Sequence, residues 1–533
     1  MRLFVGFVLL AVVGLSSQKS TPKDSHYVAA VVEYKVDRNV ENNRINYVAL
    51  IQEAAKKNAD VVVFPELTLT NSTTSFAVPI HSLLKKYPIP AEYPQYYDSL
   101  LVAMSKAAKE NEIYVVINTR ESVDCTQPQE GEECPEEKVY VFNTNVVFNR
   151  TGAVIDRYRK INLFGEAGHT PALKPDLGVF TTDFGVTFGH YICFDLMFQV
   201  PAIQVVQKNN IKDVIFPTMW FSEMPFLTAV QIQEAYAYSM DVNFLGAGAN
   251  NVGVGSAGSG IYSGKAGALV SIMPGVPTTR LLVAKVPKVP GQVTAEYPGP
   301  IYDNPADHDG LVLIQDLSLP AHLTRALIPG FQEFTIVDKD VFCTFRARLS
   351  NRNNTSVQYR AFVEDGTQTY ARREIGVAAC LVVACENDDA KSCPYRFNKP
   401  KETVIEELTI EMKSHRKTYN TSLKTDNVKY FPVSFRYNKF PLSPKNFTYT
   451  DTLRSDFPKC ETYEQNSISI FHNEVRNKKR QEVMKYSITR PQSELIAFGI
   501  WGRLYDRDVD HSKEITEEDY KTFEGLLEKI YDV

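Results

Sequence analysis

Beyond its first fifteen residues this chain has no apolar run of the ~18 residues that a membrane-spanning helix needs. That excludes an integral helical membrane protein. Charge of one sign is also scarce: the net charge is -5 over 533 residues, with no long run of like charge. A nucleic-acid partner held by a basic surface is thereby excluded, while small ligands are not. No His-Glu-x-x-His and no paired Cys-x-x-Cys spacing occurs, so no metal is expected. No internal repeat is evident. The C-terminus, Leu527 to Val533, is polar and charged, so neither a lipid-anchor signal nor a membrane anchor is expected.

What is present begins with a leader. Arg2 supplies a positive charge, Leu3 to Leu15 is almost wholly apolar, and Gly14, Ser16 and Ser17 suit cleavage, so residues 1–17 read as a removed signal peptide and the protein as secreted and extracellular. Six Asn-x-Ser/Thr sites, Asn71, Asn149, Asn353, Asn354, Asn420 and Asn446, carry no proline in the middle position and are candidate glycosylation sites. The eight cysteines invite four disulfides. Cys125 and Cys134 bracket a short loop and look like a local pair. Cys380, Cys385 and Cys393 cluster, and pair among themselves or with Cys343 or Cys460. If Cys193 stays free, one of the other seven is left without an intramolecular partner.

A composition of 44% hydrophobic and 11% aromatic residues supports large cores, and the length allows two or three domains. From residue 26 to about 305, apolar strands alternate with helical segments, an α/β pattern. Strands are expected at His26 to Val36, Val61 to Phe64, Ile113 to Asn118, Thr187 to Phe194, Val214 to Phe216 and Phe244 to Ala247. A hairpin is expected from Tyr140 to Phe148 and Val154 to Tyr158. Helices are expected at Asn39 to Asn58 (with Ile45, Val48, Ile51, Ala54 and Ala55 on one face), Tyr97 to Asn111, Pro201 to Lys208 and Ala229 to Met240. Pro274 to Asp309 is rich in proline and glycine and reads as loop, with a linker at 306–325. Residues 326–533 read as a smaller β-rich domain stapled by disulfides, with strands such as Phe334 to Phe345, Val357 to Val363, Ile375 to Val383 and Leu495 to Trp501. It closes on an amphipathic helix at Ile515 to Tyr531.

Open α/β sheets present ligands at the carboxyl ends of their strands. Glu66 follows the Val61 strand, Lys160 and then Glu166 follow the Val154 strand, and Cys193 lies at the end of the Thr187 strand. Each has an ordinary alternative: a solvated carboxylate, an exposed basic face beside Arg157 and Arg159, a surface loop, a disulfide half. A papain-like pair with His190 fails on geometry, because strand side chains alternate and His190 faces opposite Cys193, whereas Tyr191 shares its face. His169, in a loop, escapes that argument. No Cys-Gly-[Ser/Ala]-Cys-[Trp/Tyr] context surrounds Cys193.

Three segments, Val62-Val63-Phe64-Pro65-Glu66, Arg157 to Phe164 and Gly189-His190-Tyr191-Ile192-Cys193-Phe194-Asp195, resemble the Glu, Lys and Cys motifs of the nitrilase superfamily of carbon–nitrogen hydrolases. Phe142 to Phe148, Phe216 to Trp220, Gly258 to Tyr262 and Gly502 to Asp508 resemble its vanin/biotinidase branch, over essentially the whole mature chain. The resemblance implies a nitrilase-type α-β-β-α sandwich as a catalytic domain over 26–305. It implies hydrolysis of a linear amide, pantetheine or a biotin amide, through a Cys thioester. Cys193 is then the nucleophile and Glu66 the proton acceptor. Lys160 and the Phe194 backbone N–H hold the oxyanion, Glu166 is a supporting carboxylate, and Trp220 and Tyr191 are candidate substrate contacts. The small-molecule amide is the expected partner, no cofactor is needed, and the oligomeric state is left open. Vertebrate vanins carry an anchor tail that this chain lacks, which implies a secreted form. The alternatives are biotinidase chemistry or a non-catalytic secreted glycoprotein on the same scaffold.

Overall fold

The computed structural model describes residues 19–126, 134–166, 168–294, 296–302, 310–351, 357–397, 399, 401–415, 419–453 and 482–510. The leader at 1–17, Asn353, Asn354, Cys460 and the helix expected at Ile515 to Tyr531 lie outside the described residues.

The first domain is built from two facing sheets, joined at one end where Tyr34 and Lys35 pair with Ala249 and Asn250. In one, β1 (His26–Lys35), β2 (Val61–Val63) and β3 (Tyr114–Asp124) run parallel, and β4 (Val139–Phe148) and β5 (Val154–Arg159) continue as an antiparallel hairpin. Its helices are α1 (Val40–Lys56), the short α2 (Leu83–Lys86) and α3 (Ser99–Glu110). The second sheet contains β6 (Val179–Thr181), β7 (Thr187–His190) and β8 (Asp213–Thr218), followed, past the short β9 (Glu223–Met224), by β10 (Asn243–Asn250), β11 (Ser259–Ser263) and β12 (Ala268–Ile272). It carries α4 (Gln204–Asn209) and α5 (Ala229–Met240).

Strand periodicity explains the layering. On β1, Tyr27, Ala29 and Val31 point into the layer between the sheets, where they join Phe188, Ile215 and Leu245. The alternate residues Ala30, Val32 and Tyr34 face α1 and α3. The outer face of the second sheet packs on α4 and α5, completing an α-β-β-α sandwich. Asn39 caps α1 by accepting from the Asn42 N–H at 3.0 Å. The buried stripe of α1 is Asn43, Tyr47, Ile51 and Ala54. It keeps Ile51 and Ala54 of the expected face, whereas Ile45 is 52% exposed. Tyr47 decides the rotation, because its ring stacks on Phe64 at 3.9 Å between centroids.

Other expectations are corrected. The loop expected at Pro274 to Asp309 contains β13 (Arg280–Pro287), which pairs antiparallel along β1. Its Leu282, Ala284 and Val286 alternate into the inter-sheet core, and that period-2 pattern outweighs the flanking prolines. The single strand expected over Phe334 to Phe345 is a hairpin of Gly330–Asp338 and Val341–Ser350, turning at Lys339 with φ +45°. The Thr187 strand stops at His190.

The second domain is a sandwich of two five-stranded antiparallel sheets. The strand Arg373–Cys385 is buried on both sides. Ile375, Val377, Ala379, Leu381 and Val383 pack against the first domain, and Ala378, Cys380, Val382 and Ala384 line the sandwich interior. Two buried faces account for its unbroken apolar sequence. Disulfides join Cys125 to Cys134, Cys343 to Cys380 across the two sheets, and Cys385 to Cys393, while Cys193 is buried and free. No helix among the described residues is long and apolar enough to cross a membrane.

Three carboxyls meet where the domains join: Glu223 on β9, Asp316 and Glu364. Gln368 Nε2 donates to Glu364 Oε2 and Asp316 Oδ2, both at 3.3 Å, and His322 Nε2 lies 3.9 Å from Glu364. Burial, reinforced by Asp316, pushes Glu364 up to about 8 and Glu223 up to about 7. Acids whose folded value exceeds the unfolded one hold an extra proton in the fold. Stability therefore falls as pH rises from about 4.3 towards 8. Glu364→Gln is expected to raise the thermal midpoint above that of the wild type at pH 8 and to match it near pH 4. Equal shifts at both pH values would contradict this account.

Candidate active site

Three strand ends converge on one cluster. The chain leaves β2 through Phe64 and Pro65 to Glu66, β5 ends one residue before Lys160, and β7 leads through Tyr191 and Ile192 to Cys193. All three side chains are buried, at 2%, 1% and 5% exposure. Lys160 Nζ donates to Glu66 Oε1 at 2.7 Å and to Glu166 Oε1. Glu66 Oε2 accepts the Met219 N–H at 2.7 Å, and the Cys193 thiol donates to the Met219 carbonyl at 3.6 Å. Carboxylate and thiol thus hold the backbone N–H and C=O of one residue, Met219.

Both functional loops hold an L residue in the left-handed region: Cys193 at φ +46° and Leu67, directly after Glu66, at φ +48°. Each costs about 1–2 kcal/mol, so neighbours must impose it. For Leu67 the neighbour is Asn118, whose Oδ1 accepts its N–H at 2.8 Å. That contact fixes the Asn118 amide, so its Nδ2 donates to Asn143 Oδ1 at 2.8 Å. Asn143 in turn directs its own Nδ2 to Glu66 Oε1 at 2.7 Å and Glu166 Oε1 at 3.4 Å. For Cys193 the neighbour is Asp195, whose Oδ2 accepts the Ile192 N–H at 3.2 Å and the Tyr158 hydroxyl at 2.7 Å. Cys193 to Met197 form a 3₁₀ turn rather than the end of a strand.

Charge follows from the contacts. Burial alone would depress the Lys160 ammonium, but the Glu166 and Glu66 carboxylates outweigh it and hold it well above the usual lysine range. Glu166 is buried too, yet Lys160 keeps it below the usual carboxylate range. Burial and then the Glu66 charge push the Cys193 thiol up, against the opposing pull of Lys160. A thiol so held rests as S–H near neutral pH, and attack requires its proton to leave as the bond forms. Burial raises Asp195 to about 6. An ammonium has three donors, and two are spent on carboxylates, so one remains for a substrate oxygen.

The structure brings Glu66, Lys160, Glu166 and Cys193 together, with Phe194 following the thiol. Trp220 is adjacent in chain to Met219 and anchored by its indole N–H to the Leu227 carbonyl at 2.7 Å. Tyr191 is kept apart. It is fully buried, its ring against Phe216 and Tyr236 on the outer face of the sheet. The strand ends before both residues, so strand alternation does not relate Tyr191 to Cys193. His190 is turned away, its Nε2 2.9 Å from Asp156 Oδ2 and its ring against Tyr158 and Phe180. His169 lies beside Glu166, its N–H donating to the Glu166 carbonyl at 3.2 Å. Asn71, Asn149, Asn420 and Asn446 are all partly exposed. The supporting residues Asn118, Asn143, Asp195 and Asn162 were not singled out from the sequence. Their signal was polar groups interrupting or closing apolar strand runs. Met219 lies within the Phe216 to Trp220 segment that carries the resemblance, but it acts through its backbone, which no side-chain pattern reveals.

Residues 11–285 match the Carbon-nitrogen hydrolase family and residues 315–508 the Vanin C-terminal domain. Vanin-like protein 2 of Drosophila melanogaster is 31% identical over 534 residues, 95% of this chain and 94% of its own. Vanin-like protein 1 of the same organism is 30% identical over 538 residues, 95% of this chain and 90% of its own. A biotinidase of Takifugu rubripes is 30% identical over 413 residues, 69% of this chain and 81% of its own. The chain belongs to the carbon–nitrogen hydrolase family, in its vanin/biotinidase branch.

Proposed function

We propose that this protein is a secreted amidohydrolase that cleaves pantetheine to pantothenate and cysteamine, with Cys193 as nucleophile, Glu66 as base and Lys160 as oxyanion donor. The observation that supports it most is the shared residue Met219: Glu66 accepts its N–H, the Cys193 thiol donates to its carbonyl, and Lys160 bridges Glu66 to Glu166. Glu66 takes the thiol proton while sulfur bonds to the amide carbon. The carbonyl oxygen gains negative charge beside the Lys160 ammonium and the Phe194 N–H. The carbon–nitrogen bond then breaks, protonated Glu66 gives its proton to the leaving amine, and a thioester remains on Cys193. Water attacks that thioester, losing a proton to Glu66; the carbon–sulfur bond breaks, Glu66 returns the proton to the Cys193 sulfur, and the acid leaves. Glu166 orients Lys160 through the third arm of the cluster. Secretion is supported by the leader-like residues 1–17 and by three disulfides, which suit an oxidising compartment. The partly exposed sequons are candidate glycan sites on that route.

Similarity to a biotinidase supports a second substrate, biotinyl-lysine. Side-by-side turnover separates the two: kcat/KM for pantetheine is expected to exceed that for biotinyl-lysine by at least about tenfold, roughly the discrimination 1.4 kcal/mol confers. The reverse order would assign the biotin amide instead. Hydrolysis of neither would remove both assignments.

A further inference from the structure

The strand that seals the second domain against the first begins at Arg373, and this side chain reaches into the first domain. Its Nη1 donates to Asn162 Oδ1 at 2.6 Å, and its guanidinium carbon lies 5.1 Å from the centre of the Phe198 ring. Asn162 is two residues beyond Lys160. With its oxygen engaged, its amide nitrogen turns to Asp195 Oδ1 at 2.8 Å and to the Val200 carbonyl at 3.0 Å. Its backbone N–H donates to the same Asp195 oxygen at 2.8 Å. Asp195 therefore ties the Lys160 loop to the turn that carries Cys193.

A second guanidinium holds the far end of that turn. Arg503 is 1% exposed, and its Nε donates to the carbonyl of Met197, the last residue of the turn, at 2.9 Å. Its Nη2 is fixed by Asp508 at 2.9 and 2.7 Å, and its Nη1 donates to the Gly376 carbonyl. The neighbouring arginines behave differently: Arg507 bonds Asp365 and His415 within its own domain, and Arg346 pairs with Glu333 at the surface. Cys193 sits in an unfavourable backbone conformation that persists only where surroundings over-determine it. Two cations of the other domain supply anchors along the turn that follows it, at Asp195 through Asn162 and at Met197.

We propose that Arg373 and Arg503 are positioning residues for the hydrolysis: they fix the Cys193 to Met197 turn, so that the thiol and the Phe194 N–H stay in register with Glu66 and Lys160, and the second domain thereby completes the catalytic site. This rests on the hydrolase reading above.

The test uses the full-length protein and the variants Arg373→Met, Arg373→Lys and Arg503→Lys, with the surface variant Arg346→Met as control. Four quantities are read: kcat, KM, the thermal midpoint, and the pH profile of Cys193 alkylation by iodoacetamide. Arg373→Met is expected to lower kcat about ten- to hundredfold, as small misplacements of reacting groups do, with KM little changed and the alkylation profile displaced. Arg373→Lys, which still donates to Asn162, recovers part of the loss, and Arg346→Met changes nothing. Arg503→Lys keeps a cation near Asp508 but shortens the reach to Met197, and it is expected to move kcat and the alkylation profile in the same direction. Unchanged kcat and alkylation in folded Arg373→Met and Arg503→Lys would overturn the proposal, as would a loss in proportion to the thermal midpoint with no change in the alkylation profile. Failure of the hydrolase reading looks different: the wild type itself then releases no amine and Cys193 resists alkylation.

Discussion

Lys160→Met is expected to lower both stability and turnover. The side chain it removes is the cation between two buried carboxylates, Glu66 and Glu166. Deleting one partner of a buried ionic cluster costs about 3–5 kcal/mol, because the charges left behind have neither water nor a counter-ion. Asn143, which donates to both carboxylates, softens the loss without supplying charge. The remaining pair is expected to take up a proton, since two buried carboxylates sharing a site do not both stay ionised. The same variant removes the donor that faces the developing oxyanion, an effect of about 10²–10³-fold in kcat. Thermal melts and steady-state rates check both parts. A variant with the wild-type midpoint and rate would place the functional charge elsewhere.

The second large effect is on the nucleophile and its base. Cys193→Ala is expected to reduce amide hydrolysis by about 10⁴-fold or more, and Glu66→Gln by a comparable factor. Groups that act as one unit are not additive, so the double variant is expected to be hardly worse than either single one. Independent roles would give multiplied losses instead. Cys193→Ala fills the same buried space with a smaller apolar group, so its fold should survive, and a melt separates lost chemistry from lost structure. Glu66→Gln keeps an oxygen for the Met219 N–H but turns an NH2 towards the Lys160 and Asn143 donors, so its thermal midpoint is expected to fall and its rate is read on the folded protein.

Much of this arrangement was legible in the sequence. Continuous apolar strands alternating with helical spacing indicated sheets covered by helices, and the sandwich has that form. The strand ends alone point to Glu66, Lys160 and Cys193. What escaped was whatever depends on three-dimensional neighbours. The expected face of α1 holds at Ile51 and Ala54 but not at Ile45, because Tyr47, half polar, shifts the buried stripe by stacking on Phe64. The strand before Cys193 is shorter than its apolar β-rich run suggests, because a left-handed residue leaves no mark in such a run. β13 was hidden by the prolines around it. Asn118 and Asn143 act through amide orientation, which only hydrogen-bond partners reveal. The cysteine parity was resolved in part: six residues pair, Cys193 is free, and Cys460 lies outside the described residues.

The most direct test of the central claim is to trap the covalent intermediate. The protein is mixed with excess pantetheine, quenched in acid within the first turnover, and its peptides are read by mass spectrometry. The account predicts a pantothenoyl group bound as a thioester to the Cys193 peptide, lost on mild base and missing from Cys193→Ala. Turnover of pantetheine with Cys193 unmodified throughout, or with the acyl group on another residue, would contradict it.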